Sequence, residues 1–202
     1  MKELYAEIER VLPDGGAWCS VERAATLASI VVALRPRIIC EIGVWLGGSL
    51  IPMLLAAKHI GVGRAIAIDP WSAEASAAGQ DDVNAQWWKN VDHDAAYRKF
   101  TARLKLHDLE HLCSICRMPS DQYEPMHDID LLSLDGNHGP QAVRDIERFA
   151  SRVTLGGILA LDDVGWSGDH VYRAQRRAVE LGFRDLYQLG SGVVMQRRGI
   201  GS

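Results

Sequence analysis

The sequence predicts a single α/β domain over residues 1–202, built on a doubly wound, mostly parallel sheet with helices on both faces. Three observations predict it. Short apolar runs alternate with amphipathic segments from residue 38 onward, nearly every run ends in polar residues, and the chain closes on two strand-like runs around a Gly-Ser-Gly turn. Strand and helix in alternation imply parallel strands joined by crossover helices. The terminal pair places the last strand antiparallel, at or near one edge. A chain of 202 residues buries one good core and is too short for two comfortable ones.

Taken in order, residues 2–12 put Leu4, Tyr5, Ile8, Val11 and Leu12 on one helical face, and PDGG at 13–16 breaks that helix. Ser20 can cap a second helix, with Glu22 and Arg23 on the wet side and Leu27, Ile30, Val31 and Leu34 on the dry side, ended by Pro36. Residues 1–36 thus read as a helical arm, more than one small domain needs, that could serve a homodimer interface. RIICEIG is a strand, SLIPMLLAAKHI a helix with Pro52 in its first turn, and RAIAIDP a strand. Residues 92–106 form a polar helix, followed by the strands HLCSICR and IDLLSLD. Pro140 opens a helix carrying Val143, Ile146, Phe149, Ala150 and Val153, before the strand GGILALDD, a helix over 170–181 and the hairpin FRDLYQL and GVVMQRR. Residues 71–91, WSAEASAAGQDDVNAQWWKNV, have no clean period and read as a long irregular loop, a candidate lid or substrate loop.

Composition removes whole classes of function. Hydrophobic content of 48% and charged content of 24% are those of a soluble globular protein, and a net charge of −4 with scattered Lys and Arg gives no footprint for nucleic acid. No apolar run reaches the ~18–20 residues that cross a bilayer, and MKELYAEIER lacks the apolar stretch of a signal peptide. A cytoplasmic protein without membrane contact is expected. Of the four cysteines, Cys40 reads as a small core hydrophobe. His107, His111, Cys113 and Cys116 could be counted as zinc ligands, but only the two cysteines have ligand spacing and the order is wrong.

The chemistry gathers at the strand ends, because ligands of parallel sheets bind beyond the carboxyl ends of the strands. EIGVWLGGS is a glycine-rich strand-to-helix turn whose backbone can approach a ligand, although Gly43, Gly47 and Gly48 do not make the dinucleotide spacing. Asp69 ends the next strand, where a carboxylate can hold the hydroxyls of a ribose, so an adenosine-type cofactor is expected. Asp135, Asp162 and Asp163 would bring three carboxylates together from neighbouring strands, an arrangement that repels itself unless a cation intervenes. All-oxygen ligands select a hard ion: magnesium first, with manganese or calcium also suited. His138 stands three residues past Asp135, beside that ion without needing to ligate it.

These residues resemble the class I S-adenosylmethionine-dependent methyltransferases, specifically the divalent-metal-dependent O-methyltransferases, from about residue 37 to the end. EIGVWLGGS resembles the family's first motif, AIAIDPW its second, and LLSLDGNHGPQAVRDIERFASRVTLGGILALDDV its metal-binding half. The branch acting on sugar hydroxyls of natural products and polysaccharides is closer than the catechol branch. The resemblance implies a Rossmann-like, seven-stranded sheet, S-adenosylmethionine as cofactor and a small-molecule or saccharide hydroxyl as acceptor. Glu41, Gly43, Trp45 and Ser49 would line the methionine end of the cofactor, Asp69 would hold the ribose and Ser120 would sit near the adenine. Asp135, Asp162 and Asp163 would ligate the metal, and His138 would be the catalytic base, a place taken by Lys in the catechol enzymes. Trp71, Trp87, Trp88 and Trp166 offer flat faces for a sugar or aromatic ring, or core packing. Two other readings use the same residues. A metal-dependent hydrolase would leave the glycine turn and Asp69 without purpose, and a nicotinamide-binding oxidoreductase or silent binding module has no need of the paired aspartates.

Overall fold

The computed structural model describes residues 2–12, 18–166 and 168–199; the expected break at 13–16 lies outside them. Apolar, β-branched runs form β1 (Ile38–Ile42), β2 (Arg64–Ile68), β3 (Cys113–Cys116), β4 (Ile129–Leu134) and β5 (Val153–Leu161), paired in the order β3-β2-β1-β4-β5 and all parallel. The hairpin of β6 (Phe183–Leu189) and β7 (Gly192–Arg197) completes the seven-stranded sheet. β7 lies between β5 and β6 and runs antiparallel to both. The strand order reverses between β1 and β4, which is where a sheet of this kind opens a crevice.

Among the described residues, eight α-helices cover the faces: α1 (Lys2–Val11), α2 (Val21–Leu34), α3 (Leu50–Ile60), α4 (Ala73–Ala77), α5 (Asp82–Asn90), α6 (His93–Leu106), α7 (Gln141–Phe149) and α8 (His170–Glu180). Leu4 and Ile8 of α1, Leu27 and Val31 of α2, Leu50 and Leu54 of α3 and Phe100 of α6 form one core with the inner residues of β1 and β2. Ile146 and Phe149 of α7 and Ala174 and Ala178 of α8 form the other with Leu132, Leu159 and Phe183. Each of the Leu, Ile, Val and Phe side chains contributes about 1.5–3 kcal/mol on burial. None of these helices is long and apolar enough to cross a membrane. In β3 the residues Cys113 and Cys116 are three apart, so the two-residue strand period sends them to opposite faces, and all four cysteines are free thiols.

Two expectations are corrected. Residues 71–91 are not an irregular loop but contain α4 and α5, started by Ser72, whose hydroxyl accepts from Ala75 N, and by Asp81, whose carboxylate accepts from Asn84 N. Caps and alanines make these helices. The apolar period is missing because α5 has no fully buried residue. Arg23 is not on the wet side of its helix. It is only 6% exposed, turned inward to carboxylates more than a hundred residues away in sequence.

Candidate active site

The hydrogen-bond ladder runs one residue past each strand end and sets the acidic groups in a row. Gly43 N donates to Ile68 O, Asp135 N to Ile42 O and Asp162 N to Leu134 O, all at 2.9–3.0 Å. Asp135 and Asp162 are therefore neighbours just past the ends of β4 and β5, with Asp135 at the reversal of strand order. Asp163 follows in a left-handed conformation (φ 50°) that a short carboxylate tolerates, and its amide donates to Asp162 Oδ1 at 2.9 Å. His138 reaches back over the same rim, with Nε2 3.4 Å from Asp163 Oδ2, near enough for attraction but without hydrogen-bond geometry. Donor atoms of Asp135, His138 and Asp163 lie within 4.8 Å of one another, the one such convergence among the described residues. Donors that close can surround one ion at the usual ~2.0–2.6 Å, so the residues fit a divalent cation. Asp162 is not one of that set.

Asp162 instead meets two groups that sequence reasoning missed. Its Oδ1 lies 3.1 Å from Arg23 Nη1, and Asp135 Oδ2 lies 4.0 Å from Arg23 Nη2. Ser191, in the hairpin turn, donates to Asp163 Oδ1 at 2.8 Å and reaches Asp162 Oδ1 at 3.3 Å. Burial, and then the charge of Asp162, push the Asp135 carboxyl well above its ordinary range, with the Arg23 charge opposing them. Burial lowers the pKa of His138, partly offset by Asp163 and Asp162. Its imidazole is thus neutral near pH 7, the form in which it can accept a proton.

The expected cofactor residues also gather at the switch point. Gly43 (φ 84°) leaves no room for a side chain: a Cβ there would lie 2.1 Å from Asp135 O. Glu41 is fully buried and accepts from Ser49 Oγ at 2.7 Å and Ser133 Oγ at 3.0 Å, while its Oε2 has no partner. Asp69 is braced against the glycine turn: Oδ2 accepts from Val44 N and Trp45 N at 2.9 and 2.8 Å, and Oδ1 from Trp71 N at 2.7 Å. A carboxylate has about four acceptor positions, which leaves one for a ribose hydroxyl. Ser120 donates to Asp145 Oδ1 at 2.6 Å, and Gln141 Nε2 donates to the same oxygen at 2.7 Å. Asp145, another residue the sequence did not single out, is buried on α7, and that burial pushes its carboxyl up to about 6.

The tryptophans divide by environment. Trp71 is 2% exposed and packs on Tyr97 and Phe100 as core. Trp45 stacks on Trp18 at 5.8 Å, with Trp87 and Trp88 closing an indole cluster. Trp18 and Trp87 remain 59% and 45% exposed. Trp166 is partly exposed and lies 5.0 Å from the imidazole of His138, ring centre to ring centre. The segment carrying α4 is tied to the site by Asn137, whose Nδ2 donates to Ala78 O at 2.6 Å and Ala75 O at 3.3 Å.

Burial, with the two serine hydrogen bonds opposing it, raises the Glu41 carboxyl from 4.5 to about 7. The folded chain therefore holds this proton more tightly than the unfolded one. The associated stability is present below about pH 4.5 and lost as pH rises through about 7. Glu41→Gln is expected to stabilise the ligand-free protein by up to about 3 kcal/mol at about pH 8, the gain fading below about pH 4.5. Urea unfolding of both proteins across that range measures it, and a constant difference would contradict the assignment.

A family profile described as a methyltransferase domain matches residues 40–164, well over half of the chain. Among curated proteins, none matches the sequence significantly. The fold is similar to that of the O-methyltransferase TomG from Streptomyces achromogenes, involved in tomaymycin synthesis and solved with SAM: 16% identity, 98% of this chain and 90% of that one covered, TM-score 0.65. It is similar to the O-methyltransferase NovP at 18% identity, covering 89% and 81% of the two chains with a TM-score of 0.66. An O-methyltransferase from Bacillus cereus, in complex with SAH, aligns at 16% identity over 96% and 89% of the chains, TM-score 0.62.

Proposed function

Because this chain belongs to the methyltransferase domain family, we propose that it moves a methyl group from S-adenosylmethionine to a hydroxyl oxygen of a sugar, polysaccharide or other natural product. The reading rests on one observation above all, the convergence of Asp135, His138 and Asp163 within 4.8 Å at the reversal of strand order. Asp135 and Asp163 would hold a divalent cation, magnesium before manganese or calcium, with Asp162 joining them when it turns from Arg23. Such an ion would lower the pKa of an acceptor hydroxyl and fix its position. His138, neutral and half-buried, takes the hydroxyl proton. The oxygen forms its bond to the methyl carbon as the carbon–sulfur bond breaks. The bonding pair goes to sulfur and leaves S-adenosylhomocysteine. Glu41, Gly43, Trp45, Ser49, Asp69 and Ser120 would hold the donor, and the unpartnered Oε2 of Glu41 suits the ammonium of its methionine end. The SAM and SAH bound to TomG and to the Bacillus cereus enzyme support this donor. The partly exposed face of Trp166 beside His138 supports a ring-bearing acceptor, since sugars and aryl groups stack on indole.

Melting temperature tests the donor. S-adenosylhomocysteine is expected to raise it, further with magnesium, and NADH to leave it unchanged; stabilisation by NADH alone would remove the reading. His138→Ala is expected to lower methyl transfer to a panel of sugars and catechols by at least ~100-fold, with S-adenosylhomocysteine binding retained. Full activity in that variant would take the base role from His138.

A further inference from the structure

We infer that Arg23 is a resident counter-cation of the acidic cluster, a positioning residue that competes with the divalent ion for Asp162 and Asp135 and so sets how tightly the ion is held. This rests on the reading of the cluster as a cation site. Ser20 caps α2 and accepts from Arg23 N at 3.1 Å, which fixes the first turn and sends the Arg23 side chain inward. The guanidinium is buried, with Nη1 3.1 Å from Asp162 Oδ1 and Nη2 4.0 Å from Asp135 Oδ2. Its Nε and Nη2 are enclosed without any hydrogen-bond partner. A guanidinium carries five N–H donors, and leaving buried ones unmade is costly. Arg23 is therefore held by charge rather than by a complete set of bonds, the state of a group that can give way to a stronger cation.

The charges fit the same account. With all three carboxylates ionised, as ligation of a cation requires, Asp135, Asp162 and Asp163 less the one guanidinium leave two negative charges, which a single divalent ion cancels. Without Arg23 the cluster would carry a third uncompensated negative charge. It would hold the ion more tightly and be less stable in its absence.

The test is titration of manganese chloride into wild type, Arg23→Met and Arg23→Lys, followed by calorimetry and by melting temperature. Arg23→Met is expected to bind manganese at least about tenfold more tightly, because a positive charge within a few ångströms has gone. It should melt lower than wild type without the ion and gain more on its addition. Arg23→Lys keeps a positive charge within a few ångströms of the carboxylates and should stay within about threefold of wild type. A purely structural role would loosen the site, so equal or weaker binding by Arg23→Met overturns the inference while leaving the cation site in place. Absence of manganese binding in the wild type overturns both. Should Arg23→Met not fold, Arg23→Gln keeps a side chain able to bond Asp162 without the charge and must show the same tightening.

Discussion

Asp135→Asn is expected to abolish the cation-dependent rise in melting temperature and to cut methyl transfer by about a thousandfold, comparable to losing a principal electrostatic stabiliser of a reacting centre. Three features single out this position. Asp135 belongs to the one convergence of donor atoms within 4.8 Å among the described residues, it lies 4.0 Å from the Arg23 guanidinium, and it sits at the end of β4 where strand order reverses. Asparagine keeps the shape and the backbone bond to Ile42 O, so the loss isolates charge. The apo variant is expected to be no less stable than wild type, because burial and the charge of Asp162 already push the Asp135 carboxyl upward and the amide removes that repulsion. Binding of S-adenosylhomocysteine should change by no more than a few-fold. Activity within tenfold of wild type, or an intact response to magnesium, would sink the assignment of this carboxylate to the cation.

Sequence reveals this site unevenly, for physical reasons. Apolar β-branched runs ending in Glu41, Asp69, Asp135 and Asp162 are legible because each strand has a short period and a polar terminus. The convergence of Asp135 with Asp163 follows from parallel neighbours in register. Arg23 is hidden because helical periodicity assigns a charged residue to solvent, and only tertiary pairing with Asp162 reverses that. Asp145 is hidden in the same way on α7, where Ser120 and Gln141 supply the hydrogen bonds that make its burial tolerable. Ser191 is visible only as part of a turn, since nothing local indicates that the β6–β7 hairpin brings it against Asp163. α4 and α5 escape a periodicity reading because caps, not an apolar face, define them. What fails in each case is the step from local pattern to a distant partner.

Gly43→Ala is expected to destabilise the fold by about 3–5 kcal/mol, the upper end for a single added methyl. Part of this is conformational: at φ 84° an L-residue costs about 1–2 kcal/mol relative to glycine. The rest is steric, because the new Cβ would stand 2.1 Å from Asp135 O and 2.4 Å from Gly136 Cα, backbone atoms just past the end of β4, a strand locked to β1 and β5. Gly61→Ala separates the two contributions. Gly61 is also left-handed (φ 67°) at the end of α3, but a Cβ there would meet nothing within 4 Å, so it should cost only about 1–2 kcal/mol. Equal losses from the two substitutions, measured by denaturant unfolding, would show that β1 and β4 do not approach as closely as described. A larger loss at Gly43 should come with weaker cation binding, although residue 43 has no side chain to ligate anything, because the only relief for the clash is to move the backbone that carries Asp135.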